Sequence, residues 1–488
     1  MKTAHIERRN AALILLLPAL LFLSCAAYAQ GTPSAFPGYS IGTWFSGLPS
    51  SPTAMSVDPT GRIYCSMIDG KILIIEDTNG DGAGDTVTTY YDGSISSLGM
   101  PALVFPTTGV LIHNGQVFVS SRGTVSLLED TNGDSIADYR VDIVTGLPNG
   151  MHQNNHLVIG DLGRLYFGLG SVTDHGPEAD PRSATVMSCN LDGSNLTIYA
   201  SGLRNIYGLD YKAGLGLIGA DHGWNQVFSD PSPPDEINLI EPTLDYGYPL
   251  GIGNLPASAG KTNPIYNLPT HAAPTGLTFD HQGSFSGFPN DIFVSFVANA
   301  AAAIARVSTF KNPNTGVWAG YTEIMASGFT NPIDCKFSNS GDLLIAEYFE
   351  QKIYKLVQFE DAIIRLSPSP RAGSAINVSL QAPSYPFQST YVALSTAHTP
   401  ANLVPNGKFL FLDLASPLVG ISLTPGNPYL HFNVPDLTGP SGQVVSTMWF
   451  PNHPAAIGAH LYLAYVTVDS NLQFGAVSEP LKFQIIAP

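Results

Sequence analysis

An apolar strand, a turn built on Gly, Asn or Asp, and a second apolar strand recur along this chain roughly every fifty residues, the spacing of a repeat architecture. The unit reads AMSVDPTGRIYCSM at 54–67, VLIHNGQVFVSS at 110–121, LVIGDLGRLYFGLG at 157–170 and GLDYKAGLGLIGAD at 208–221. It returns in looser form as GLTFDHQGSFSGFPNDIFVSF at 276–296, then as CKFSNSGDLLIAEY at 335–348. Several copies run on into a third strand: GKILIIED, GTVSLLED, TVMSCNL and QKIYKLV. A lone hairpin cannot bury its faces, but hairpins at this period become blades that bury them on their neighbours. The repeat predicts an all-β fold, a six-bladed β-propeller over residues 40–360. A β-sandwich is the alternative, and it leaves the recurrence unaccounted for.

Composition agrees. The 488 residues include 48 glycines and 38 prolines, too many helix breakers for bundles or coiled coils. A hydrophobic share of 44% supplies a large core. The net charge of −17 repels phosphate backbones and argues against a nucleic-acid partner.

The two ends read differently from the repeat. Residues 1–29 carry Arg8 and Arg9, the apolar run Ala11–Leu23 and the small-x-small site Ala27-Tyr28-Ala29, the pattern of a signal peptide. Cleavage near Ala29 gives an exported protein, periplasmic or secreted, with no integral membrane segment in the mature chain. A lipoprotein anchored through Cys25 is the rival, poorly served by Phe22-Leu23 ahead of Ser24. Cys65, Cys189 and Cys335 then remain, far apart and odd in number, which suits buried small side chains better than disulfides or zinc. Beyond a Ser/Pro-rich stretch near residue 366, runs such as HLYLAYVTV and LKFQII predict a small C-terminal β-sandwich over 373–488.

Two acidic loops are nearly identical: EDTNGDGAGD at 76–85 and EDTNGDSIAD at 129–138. Oxygen-bearing side chains alternate in each: Asp77, Asn79, Asp81 and Asp85, then Asp130, Asn132, Asp134 and Asp138. A hard cation needs many oxygens from a tight turn, so the spacing predicts Ca²⁺ in an EF-hand-like loop between strands. An ordinary Asp/Asn turn is the alternative.

Polar residues crowd at three other places. MHQNNH at 151–156 precedes an apolar strand, SGLRNIYGLDY at 201–211 holds Arg204 and Asn205 in a Gly-flanked turn, and ADHGWNQ follows at 220–226. Loops at one end of a propeller surround its axis, so these can share a site. His156 reads as a supporting residue, and Asp235 and Glu236 as turn or structural groups.

These segments resemble the glucose/sorbosone dehydrogenase family, the soluble PQQ-dependent aldose dehydrogenases, which are six-bladed propellers. H-Q-x-x-x-LVIG at 152–160 is similar to the family's catalytic-histidine loop, and G-L-R-N-x-x-G-L at 202–209 to its Arg-Asn loop. D-E-I-N-L-I through D-Y-G-Y-P at 235–249 is similar to its following signature. The resemblance covers roughly residues 45–358 and implies an exported sugar dehydrogenase that uses PQQ and Ca²⁺. It implies that His152 is the base that deprotonates the anomeric hydroxyl and that Arg204 faces the quinone carbonyl. Gln153, Asn205, His222, Gly223, Trp224 and Thr270 would contact the cofactor, with the Gly223 and Trp224 carbonyls on Ca²⁺. An external electron acceptor is implied, since no haem-attachment C-x-x-C-H occurs.

Two positions depart from the pattern. The fifth blade reads SFVANAAAAIARV where the family has a basic residue, and Asn331 stands where an Arg precedes Pro. The alternative function is therefore a propeller without cofactor, serving as an exported carbohydrate- or protein-binding module.

Overall fold

A computed structural model describes residues 33–35, 39–224, 232–256, 259–281, 285, 291–297, 302–312 and 316–358, and beyond 358 only strands. The signal-peptide segment and Cys25 lie outside the described residues.

Six sheets follow one another along the chain. Each begins on an inner strand: Pro52–Val57, Thr107–His113, Asn154–Ile159, Ile206–Lys212, Pro274–Phe279 and Pro332–Phe337. Antiparallel neighbours then step outward, giving the six-bladed propeller the repeat predicts. The third strands fall where the sequence runs on, at Lys71–Glu76, Thr124–Glu129, Thr185–Cys189 and Lys352–Gln358. Ring closure is a feature the repeat does not announce. Tyr39–Ser46 is the outermost strand of blade 6, pairing with Lys352–Gln358 from Tyr39 opposite Gln358 to Ser46 opposite Lys352. Ser34–Ala35 likewise extends blade 5.

Each blade lies between two others, so its middle strands have no wet face. Ile63–Met67, Leu165–Leu169, Ile292–Phe296 and Leu343–Glu347 are buried at every residue. That is why they read as continuous apolar runs rather than alternating ones. Phe118, Leu127, Leu157, Phe167 and Met187 from blades 2 and 3 form one such shared core. Cys65, Cys189 and Cys335 are buried free thiols in these cores, and burial raises the Cys189 thiol to about 11. Near the axis the inner strands touch backbone to backbone. A Cβ on Gly208 would come within 2.1 Å of the Thr275 carbonyl oxygen, so only glycine fits there.

All six inner strands shift register near their beginning. A bulge there releases the first residues from strict pairing and re-aims their side chains. This irregular ring is the mouth of the central channel.

Beyond the propeller, Ile363–Ser367, Ala375–Gln381 and Gln443–Trp449 form one sheet, and a second is built around Ser389–Ser395 and His460–Val468. The packing that would make them the expected sandwich lies outside the described residues. Among the described residues no helix is long and apolar enough to cross a membrane.

Candidate functional site

His152 ends the loop that leads into the inner strand of blade 3. Its backbone is held by the next long loop: Met151 N–H donates to the Val172 carbonyl and His152 N–H to that of Ser171, each at 3.1 Å. That second loop, 170–184, carries Asp174 in a left-handed conformation (φ 70°). His152 Nε2 lies 2.9 Å from Asp174 Oδ1. The same carboxylate oxygen is an ion-pair partner of the Arg204 guanidinium. Arg204 also donates from Nε to the Asp174 carbonyl at 2.9 Å, and from Nη1 to the carbonyls of His222 (3.1 Å) and Gly223 (3.2 Å). Asp174 therefore joins the two residues singled out for chemistry.

The loop that positions Asp174 is itself built around one acid. Glu178 accepts from Ser183 Oγ at 2.7 Å, Thr173 Oγ1 at 2.8 Å, Val172 N–H at 3.1 Å and Tyr248 Oη at 3.2 Å, and it also bonds Ser171. A short acid in the strand behind does the same for Arg204 and Asn205. Asp221, buried, accepts their backbone N–H groups at 2.9 and 2.6 Å. Asn205 presents Oδ1 to Asn155 Nδ2 at 2.8 Å and Nδ2 to His222 Nδ1 at 3.4 Å. His222 Nε2–H donates to the Pro274 carbonyl at 2.7 Å. Of the expected set, His152, Arg204, Asn205, His222 and Gly223 thus converge. Gln153 joins through its backbone, accepting Gly170 N–H at 2.9 Å. Trp224 packs beside them against His175, with ring centroids 4.7 Å apart. Thr270 is exposed in the loop before blade 5, with no recorded bond to this group.

Electrostatics divide the site cleanly. Burial disfavours charge on Asp174, but the His152 bond and the Arg204 guanidinium outweigh it and hold the carboxyl at about 2. Burial pushes the His152 imidazole below its ordinary value, against the pull of Asp174. His222 is driven to about 3, again by burial. Near neutral pH the site holds two neutral imidazoles, one carboxylate and one guanidinium. Because Asp174 can only accept, His152 Nε2 carries the proton and Nδ1 the free lone pair. Behind the site burial raises the carboxyls of Asp221 and Glu236, with Asp235 adding to it at Asp221 and Asp221 and Asp235 at Glu236, and Asp235 is raised to about 6 by burial.

Asp221 has a counterpart in blade 6. Glu347 ends the equivalent strand, is fully buried and accepts Asn331 N–H at 2.6 Å. Burial pushes its carboxyl up to about 8. Its folded value lies above its unfolded one, so its stabilising contribution is complete below about pH 4 and is lost as pH rises through about 8. In Glu347→Gln this loss disappears. Urea unfolding between pH 5 and 9 should show a shallower decline than in the wild type, and equal slopes would remove the assignment.

The two acidic loops lie at the opposite end of the propeller, between the outer strands of blades 1 and 2. They have the same internal geometry. Asp77 accepts the N–H groups of Gly80, Asp81 and Gly82, and Asp130 those of Gly133, Asp134 and Ser135. Asn79 and Asn132 each accept the N–H two residues on. Asp81 and Asp134 do likewise, while Asp85 and Asp138 reach back to Thr78 and Thr131. Among the described residues no group of three His, Cys, Asp or Glu side chains is placed to hold a metal ion. Each loop also leans on the preceding blade: Gly84 N–H donates to the Trp44 carbonyl at 2.8 Å and Ala137 N–H to that of Tyr90 at 2.7 Å.

A cavity of about 250 Å³ also opens at that far end, lined by Val57, Leu111, His156, Asp210, His281 and Lys336. His156, expected as a supporting residue, stands inside the channel 5.0 Å from the Tyr207 ring. The residues that sequence reasoning passed over are Asp174 and Glu178. Both lie well beyond the MHQNNH segment, and only the folded loop brings Asp174 to a histidine 22 positions earlier.

Residues 142–316 match the family Glucose / Sorbosone dehydrogenase, and residues 49–226 match a domain of unknown function (DUF7133). The chain is similar to a Trichoderma reesei protein of Carbohydrate-Active Enzymes Family AA12, solved as a calcium structure, at 15% identity and a TM-score of 0.56, over 69% of this chain and all (100%) of that one. It is similar to the holo PQQ domain of a pyranose dehydrogenase from Coprinopsis cinerea, at 13% identity and 0.54, over 68% and 98% of the two chains. The soluble aldose sugar dehydrogenase of Escherichia coli, in its apo form, matches at 14% and 0.51, over 66% and 100%. Residues 142–316 thus carry the glucose/sorbosone dehydrogenase match, within a six-bladed propeller whose fold these sugar dehydrogenases share.

Proposed function

We propose that this protein is an exported sugar dehydrogenase that oxidises an aldose hydroxyl, with His152 as general base and PQQ as the electron-accepting group. The observation that carries the reading is the His152–Asp174–Arg204 chain at the channel mouth. His152 Nδ1 takes the proton of the sugar hydroxyl, and Asp174 holds the ring and stabilises the imidazolium that results. PQQ, when bound, supplies the two-electron acceptor for the hydride that leaves the sugar carbon. Arg204 keeps a fixed positive charge at the mouth, where negative charge develops.

The chain's own residues fit such a polar group. Asn155 Oδ1, Trp224 Nε1, Thr275 Oγ1 and Asn331 Oδ1 are buried at the mouth end without a hydrogen-bond partner among the described residues. Buried polar atoms demand partners, and a flat ligand with many oxygens and nitrogens offers them. Asn205 and His222 would border it. The Gly223 carbonyl, which the resemblance directs at Ca²⁺, also accepts from Arg204, which leaves one lone pair for a calcium ion.

Titration of the protein with PQQ and Ca²⁺, followed by quinone absorbance, should be saturable and calcium-dependent. Aldoses should then reduce an artificial electron acceptor. No saturable PQQ binding at any calcium level would sink the reading. It would favour the binding module, which has its own support: Asp174 already occupies the Arg204 charge.

Calcium in the two acidic loops belongs to the same proposal. Asp77 Oδ2, Asp81 Oδ1, Asp130 Oδ2 and Asp134 Oδ1 each accept a single loop N–H and keep a lone pair for a cation. Such an ion would stiffen the two loops that fasten blades 1 and 2 to their neighbours. Asp81→Ala and Asp134→Ala should each reduce the drop in melting temperature caused by EDTA. An unchanged EDTA effect in both would discard structural calcium.

A further inference from the structure

Arg122 is the one lysine or arginine among the described side chains with no acceptor, counter-ion or aromatic ring. Its Nε is buried and without a hydrogen-bond partner. Comparable cations are all engaged: Arg140 with Asp142, Arg182 with Asp180, Arg204 with Asp174, and Arg306 with Asp291 and Glu323. In a chain with 38 acidic and 21 basic residues, a cation left unpaired is conspicuous. A half-dry guanidinium without a partner costs free energy, and a bound anion recovers it.

Its location is also defined. Arg122 and Gly123 form the turn between Gln116–Ser121 and Thr124–Glu129, at the end of blade 2 where the inner strands begin. Arg122 N–H donates to the carbonyls of Val104 and Pro106, both at 3.1 Å. Gly123 N–H donates to Asn154 Oδ1 at 2.8 Å, and the Gly123 carbonyl accepts Leu147 N–H at 3.1 Å. Asn154 opens the strand that follows His152, and Leu147 belongs to the loop that carries His152. The turn is thus pinned to the catalytic loop from the neighbouring blade. In a ring of six, blade 2 faces blade 5, where the basic residue expected from the resemblance is missing.

We propose that Arg122 receives a carboxylate of the ligand seated over the mouth, so that the anion-binding charge has moved to the opposite wall of the channel. The planar guanidinium fork matches a carboxylate in two parallel hydrogen bonds. That carboxylate can belong to the cofactor or to an acidic sugar. The cofactor arm rests on the reading above; the sugar-acid arm does not.

The test is calorimetric binding of PQQ with Ca²⁺, and separately of glucuronate, to wild type, Arg122→Met and Arg122→Lys. Arg122→Met should weaken at least one probe tenfold or more, with Arg122→Lys between it and wild type. Loss on PQQ assigns the cofactor, and loss on glucuronate assigns an acidic substrate. Without ligand, Arg122→Met should melt no lower than wild type, because it removes a donor that has no partner. A lower melting temperature makes Arg122 structural and overturns the proposal. So do unchanged affinities for both probes, and so does a wild type that binds neither. Failure of sugar oxidation with the affinity effects intact would overturn the dehydrogenase reading alone.

Discussion

Asp174→Ala is expected to lower unfolding free energy by about 2–3 kcal/mol, a large loss for one side chain. The substitution leaves the Arg204 guanidinium, only 6% exposed, with peptide carbonyls but no counter-charge. Breaking a fully buried pair costs about 3–5 kcal/mol, and the 30% exposure of Asp174 moves the expectation below that range. Urea unfolding at neutral pH measures it. Asp174→Asn separates charge from shape. It keeps a group of the same size beside His152 and removes the negative charge that raises the imidazole pKa. In the loaded enzyme, turnover at the optimum should fall by about 10²–10³-fold, within the range a general base contributes. The acid limb of the pH–rate profile should also move to lower pH. A variant with wild-type stability and an unmoved acid limb would show that Asp174 has no hold on either partner.

His152→Ala carries the second large effect. Turnover should drop by about 10²–10⁴-fold, with the loss in kcat and little change in KM, since a base acts as the proton leaves and adds little to ground-state binding. Titration with PQQ should give an affinity within about twofold of wild type on the same reasoning. Stability should change less than in Asp174→Ala, because the remaining Asp174–Arg204 pair still satisfies both charges. Full activity in His152→Ala would move the base elsewhere. His222 is no substitute: both of its ring nitrogens already face partners, Asn205 and the Pro274 carbonyl.

The hairpins could be read from the chain because each middle strand is buried on both sides, so a run such as Leu165–Leu169 has no polar interruption. Closure of the ring could not. Tyr39–Ser46 exposes part of one face and finds its partner only at Lys352–Gln358, and no local pattern encodes that pairing. At the mouth, His152, Arg204 and Asn205 stood out because polar residues beside apolar strands are costly unless used. Asp174 did not, because an Asp in a Gly- and Pro-containing loop has the same appearance whether it caps a turn or orients a base. Arg122 is harder still. Its interest comes from lacking a partner, and only the folded neighbourhood reveals that.

Closure by the chain's own beginning imposes an order on biogenesis. Tyr39–Ser46 leaves the ribosome about 300 residues before its partner strand, a wait of roughly 15–60 s at ordinary synthesis rates. Throughout that interval Tyr39–Ser46 has no partner strand, even with Trp44 held by Gly84 of blade 1, and the growing arc ends in unpaired strands at both sides. Such edges recruit other chains. A nascent propeller of this design therefore depends on whatever shields it until residue 358 appears, and truncation within blade 6 should yield aggregates rather than a five-bladed ring.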